Sequence, residues 1–187
     1  MQIDRDEIIR LTEEYGGSWG INHTRRLLHL ISLIGAEERY NAEAVWLAAH
    51  LHDWGAYPQW AQKGVDHALR SRQVAETFLA ERQCPEALAA LVLECIEFHH
   101  GGSPNRSIES ILLSDADALD FLGVVGVLRD FSRCPRELRK GYAGTQRHRA
   151  ELPARICLAK SKEIAARRIA QMDEILAAFE ADSFGYF

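Results

Sequence analysis

His23, the doublet His52-Asp53, His67, the pair His99 and His100, and Asp117 are residues of the types that hold transition-metal ions. Neutral imidazole and carboxylate form the ligand set that suits zinc, iron, manganese and cobalt. The doublet closes the run "AVWLAAHLHD", which is apolar on most sides. A carboxylate facing an apolar interior is costly unless a cation or hydrogen-bond donors compensate it, and a divalent ion is such a cation. Adjacent residues on a helix point about 100° apart. At a helix C-terminus, expected here at Gly55, the backbone can turn enough for both to reach one ion.

Each of these residues also has a plainer reading. A lone His on an apolar face is more often a hydrogen-bonded core residue than a ligand, and His29, His50 and His148 are assigned to that class or to the surface. His50 lies two residues from His52 and points to nearly the opposite side. In "SDADALD", Asp115 and Asp120 read as helix-surface acids, whereas Leu112, Leu113, Leu119 and Leu122 mark an apolar face on which Asp117 is the inward acid. Arg26, one turn from His23, offers a forked pair of donors to a phosphate, and reads equally well as a surface Arg.

The elements that must position these side chains are helical nearly throughout, since apolar residues recur at helical spacing and no stretch alternates as a strand would. The expected fold is all-α. A first helix is expected over about residues 4–15 and stops at Gly16 and Gly17, and a second runs from about Asn22 to Ile34 with Gly35 as its stop. A third opens on Asn41 and ends at Gly55. Asp66 caps the fourth, Pro85 takes the first position of the fifth, which stops at Gly101 and Gly102, and Ser107 caps the sixth. The tail from about Pro153 to Phe179 reads as one long amphipathic helix, and residues 132–150, with Pro135, Gly141 and Gly144, read as the least organised region. The connection "WGAYPQWAQKG" is long for a helical domain and rich in aromatics, as loops bordering a site often are. Trp54, Tyr57 and Trp60 suit stacking on a base, or packing over a helix bundle.

With 187 residues, 47% of them apolar and 26% charged, the chain has the balance of one globular domain. Its apolar runs are shorter than a membrane span and its N-terminus is acidic where a signal peptide is basic, so a cytoplasmic protein without a membrane partner is expected. The four cysteines form no C-x-x-C pair and read as reduced thiols. A net charge of −5 argues against duplex nucleic acid, yet Arg129 to Arg149 holds seven Lys or Arg against two acids, which suits a small anionic ligand or a solvated face.

The ordered set resembles the HD superfamily of metal-dependent phosphohydrolases: an early His in "NHTRR", the doublet in "LAAHLHDWG", further His residues in "VDHALRS" and "IEFHHGG", and a late Asp in "LSDADALDFLG". The likeness covers roughly residues 20–125, and the tail helix, about 150–180, is similar to the C-terminal helix of small stand-alone members. The resemblance implies an all-α HD-domain bundle in which His23, His52, Asp53 and Asp117 bind one divalent ion (Mn, Fe, Co, Ni, Zn or Mg). It further implies that His67 with His99 or His100 can hold a second ion, Asp53 bridging the two. Family members often read H-D-x-G-K after the doublet; this chain has Ala56 in place of the Lys, leaving Lys63 in the loop as a substitute.

The expected chemistry is hydrolysis of a phosphate ester or anhydride, on a nucleotide or a related small phosphorylated compound. A divalent ion lowers the pKa of its water towards about 7 and polarises a phosphoryl oxygen. In this scheme Asp53, His67 and His99 are the catalytic candidates, and Arg26 and Lys63 contact the substrate. Two other readings stay open: a mixed-valent di-iron oxygenase of the same fold, and a non-catalytic nucleotide-sensing module. A homo-oligomer is compatible with all three.

Overall fold

The computed structural model describes residues 3–102 and 104–187. Among them there are eight α-helices, two short 3-10 turns and no strand, as the helical spacing requires. The chain forms two compact units, one reaching Ala116 and one spanning Asp117–Phe187.

In the first unit, α1 spans Arg5–Ile34, with the side chain of Asp4 accepting from the N–H of Asp6. The two expected N-terminal helices abut here. The glycine break is confined to Gly17, whose φ of 60° and ψ of −165° are costly for any side-chain-bearing residue, and helical geometry resumes directly after it. α2 spans Ala42–Leu51, capped by the Asn41 side chain, and ends before the expected Gly55 stop. His52 closes it, and a 3-10 turn follows over Trp54–Ala56. α3 spans His67–Glu81, capped by Asp66. α4 spans Glu86–Glu97, with Pro85 in the capping position, one residue before the helix and not within it. α5 spans Ile108–Asp120, its residues from Asp117 on belonging to the second unit, and the Ser107 hydroxyl accepts from the N–H of Ser110. Ile8, Leu27, Leu47, Leu51, Trp54, Leu79, Ile96 and Leu112 are fully buried and form the core on which the polar residues are mounted.

In the second unit, α6 spans Gly123–Arg133, α7 spans Leu138–Glu151, and α8 spans Ala159–Ser183 after a 3-10 turn at Leu152–Arg155. Two expectations are corrected here. Residues 132–150 are not the least organised part of the chain, because only the stretch around Pro135 breaks and Leu138–Glu151 is helical. Gly141 is there because α7 crosses α6 so closely that a Cβ would stand 2.9 Å from the Cα of Phe131. The tail is also interrupted, since Pro153 sits at the start of the 3-10 turn and the long helix begins at Ala159.

α6 is inverted. Its charged Arg129 and Asp130 are buried while Val124, Val125 and Leu128 are exposed. The inversion is tolerated because both charges are matched. Arg129 donates to the buried Asp120 carboxylate, and Asp130 accepts from His148 at 2.8 Å and from Thr145 at 3.3 Å.

Candidate metal centre

The centre is built where α2 runs out. The Asp53 carbonyl accepts from Ala56 N–H at 2.9 Å, which folds the chain back immediately after the doublet. The turn then lies against α3 at Gly55, whose N–H donates to the Ser71 hydroxyl at 2.8 Å. A Cβ at Gly55 would fall onto the backbone of Ser71 and 2.6 Å from the His67 carbonyl, so only glycine allows this approach. The approach carries the first residue of α3 to the doublet: His67 Nε2 stands 3.9 Å from Asp53 Oδ1.

The other carboxylate oxygen faces the opposite pair. Asp53 Oδ2 lies 3.6 Å from His52 Nε2 and 3.8 Å from His23 Nε2. His99 and His100, in the turn that ends α4, complete a second group with His67, the His99 and His100 rings lying 4.0 Å apart between centroids. Thus His23, His52 and Asp53 form one group and His67, His99 and His100 another, and in each the potential ligand atoms lie within 4.8 Å of one another. The expected residues of the first unit are therefore brought together, with Asp53 at the middle.

These groups fit a divalent ion by their protonation. The Nδ1 of His52 lies 3.0 Å from the Ala49 carbonyl and that of His99 lies 2.6 Å from the Ile96 carbonyl. A carbonyl only accepts, so both Nδ1 atoms carry the hydrogen and both Nε2 atoms present a lone pair. His52 Nε2 thereby directs a lone pair towards a carboxylate oxygen beyond ordinary hydrogen-bond length, an arrangement a cation between them would stabilise. His23, His52 and His99 are buried, Asp53 is partly exposed and His100 is exposed, so a small ligand can reach the centre.

The remaining residues fall into distinct settings. His50 is turned away from the doublet onto the Trp46 ring and donates to the Trp46 carbonyl at 2.8 Å; burial pushes its pKa down to about 4. His29 is exposed and His148 is engaged with Asp130. Burial alone would raise the Asp66 carboxyl, but the N–H groups of Leu69 and Ala68 outweigh it and hold the group below its ordinary range. Arg26 is half-buried one turn from His23, while Ala56 and Lys63 are exposed. In the second unit, Asp117 is buried and 3.7 Å from Arg155 Nη2. Asp115 and Asp120, read from sequence as surface acids, are buried, and Asp120 is neutralised by Arg129. Trp54 is a core residue, stacked on Trp60 at 4.6 Å and donating to Thr12 at 3.0 Å.

The family model of the HD domain matches residues 20–122, and the chain belongs to the HD domain family. It is 32% identical over 99 residues, 53% of its length, to Ribonuclease Y of Symbiobacterium thermophilum, of whose length the match spans 17%. It also resembles a predicted HD superfamily hydrolase from an uncultured Thermotogales bacterium at 26% identity and a TM-score of 0.69, covering 95% of this chain and 92% of that one. Bacillus subtilis YpgQ in complex with ADP shares the fold at 23% identity and a TM-score of 0.72, over 95% and 93% of the two chains. Among the described residues no helix is long and apolar enough to cross a membrane.

Proposed function

We propose that this chain is a metal-dependent phosphohydrolase acting on a phosphate ester or anhydride of a small compound, with a nucleotide as the first candidate. The observation that carries the reading is the position of Asp53, one oxygen towards His23 and His52 and the other towards His67. His23, His52 and Asp53 would hold one ion, and His67, His99 and His100 a second, with Asp53 shared. Asp117 enters as a further ligand on the family pattern alone. An ion bound there supplies water acidified towards neutral pH and a charge that polarises a phosphoryl oxygen.

The chain's own residues then have separable tasks. Carbonyl bonds to Ala49 and Ile96 keep His52 and His99 in the Nε2-ligating tautomer. With only the first ion bound, half-exposed His67 or buried His99 would instead assist proton transfer to the leaving group. Arg26 and, from the loop, Lys63 are the proposed phosphate contacts. Support for the substrate class comes from the Ribonuclease Y relative, which brings phosphodiesters into consideration, and from the ADP in the YpgQ structure, which does the same for adenine nucleotides.

The test is a screen of nucleotides, dinucleotides and phosphomonoesters for phosphate or pyrophosphate release with Mn, Co, Ni, Zn and Mg, using Asp53→Ala as control. Release that depends on the ion and vanishes in the variant is the expected result. Two irons per chain with oxygen uptake and no phosphate release would sink it.

A further inference from the structure

Tyr57 closes the turn that begins at Asp53, its N–H donating to the Trp54 carbonyl at 3.1 Å. The residue is 7% exposed, and its ring enters a notch on α1 made by two glycines. A Cβ on Gly16 would stand 2.7 Å from the phenol oxygen and one on Gly20 would stand 2.5 Å from it. The hydroxyl is therefore seated over Gly20, three residues and about 4.5 Å of helix rise before His23, whose Nε2 faces Asp53. Neither glycine could carry a side chain without displacing it.

Among the described residues no protein group gives or takes a hydrogen bond at the Tyr57 hydroxyl, which is not among the fully buried polar atoms and so is open to a small ligand. Burial, and then the charge of Asp53, raise its pKa, so the hydroxyl keeps its hydrogen at any working pH. The group is thus a neutral donor seated on α1 one turn before His23.

We propose that Tyr57 is a substrate-binding residue whose hydroxyl donates to an anionic phosphoryl oxygen of the compound held at the Asp53 centre. This rests on the phosphohydrolase reading and extends it to the residue that orients the phosphoryl group. It also gives Gly16 and Gly20 a role, which is to admit the ring so that the hydroxyl is held close to His23.

The test is Tyr57→Phe in the full chain loaded with Mn, read by metal content, thermal midpoint and calorimetric binding of inorganic phosphate. The variant keeps the ring in the notch, so metal content and midpoint should match the wild type. Phosphate affinity should fall roughly tenfold, the size of one hydrogen bond to a charged group. Equal phosphate affinity in the two metal-loaded proteins would overturn the proposal and leave the phosphohydrolase reading standing. Loss of metal from the variant would also overturn it, by assigning the ring to support of the ligands. A wild type that takes up metal but neither binds phosphate nor releases it from any ester would overturn both.

Discussion

The two units both bury ionisable groups, and the charges of α6 and the cluster around Asp53 are disposed of differently. In the second, the charges buried on α6 meet their complements at contact distance, Arg129 on Asp120 and Asp130 at 2.8 Å from His148 with Thr145 as a further donor, while Asp117 lies 3.7 Å from Arg155. In the first, buried His23 and His52 and half-exposed His67 surround the Asp53 carboxylate, with Nε2 atoms 3.6 to 3.9 Å away from it. The hydrogen-bonded pairs let α6 bury Arg129 and Asp130 beside Val127. In the Asp53 cluster the Nδ1 atoms of His52 and His99 are tied to carbonyls, which leaves their Nε2 atoms for the ion proposed above.

The largest effect should come from removing the hub. Asp53→Ala should reduce phosphate release at least about 100-fold, beyond the loss seen when an outer partner of a ligand is removed, and should strip the ion from both groups. Elemental analysis together with a phosphate assay measures this, and retained helical circular dichroism shows that the fold survives. If the variant kept both its metal and its activity, the contrast between the units would collapse.

Next in size is the break on the other side. Arg129→Met leaves the Asp120 carboxylate buried without its charge partner, which should cost about 3–5 kcal/mol in denaturant unfolding. A double change that also replaces Asp120 by Leu should recover much of the loss, and metal content should stay near wild type in the double variant.

Gly55→Ala sharpens the comparison within the first unit. The new methyl meets the α3 backbone at Ser71 and His67, so stability should fall by about 1–3 kcal/mol. Because the shift moves His67 away from Asp53 and leaves His23 and His52 in place, metal titration should show the His67 group weakened more than the His23 group.

The smallest effect belongs to an ion pair that closes by hydrogen bonding, like those of the second unit, but at the surface. Hydrogen bonding to Arg82 holds the Glu7 carboxyl below its ordinary value of 4.5. The unfolded chain, with the ordinary value, binds more protons just below it. The pair's contribution is therefore complete above about pH 4.5 and is lost as pH falls through the lowered folded value. For a partly exposed pair this is below about 1 kcal/mol, and Glu7→Gln should flatten the acid limb of the stability curve by no more than that.

Much of this protein is written locally in its chain. Asn41, Asp66 and Ser107 cap the helices at which they were expected, because a short polar side chain before an apolar run satisfies the same N–H groups wherever it occurs. The His-Asp doublet at the end of an apolar helix, and the ordered histidines around it, are likewise legible from residue type and spacing, and so is the HD family. Long-range approach is not legible. Gly141 reads as a breaker until α6 lies against it, Asp120 reads as a surface acid until Arg129 covers it, and Tyr57 reads as a loop aromatic until Gly16 and Gly20 receive it. Sequence determined which side chains could bind an ion and, apart from Leu138–Glu151, which segments are helical, since both follow from chemistry within a few residues. Only the tertiary structure decided that Asp53 faces His67 as well as His23 and His52, because that depends on a backbone contact between Gly55 and α3 that no local pattern encodes.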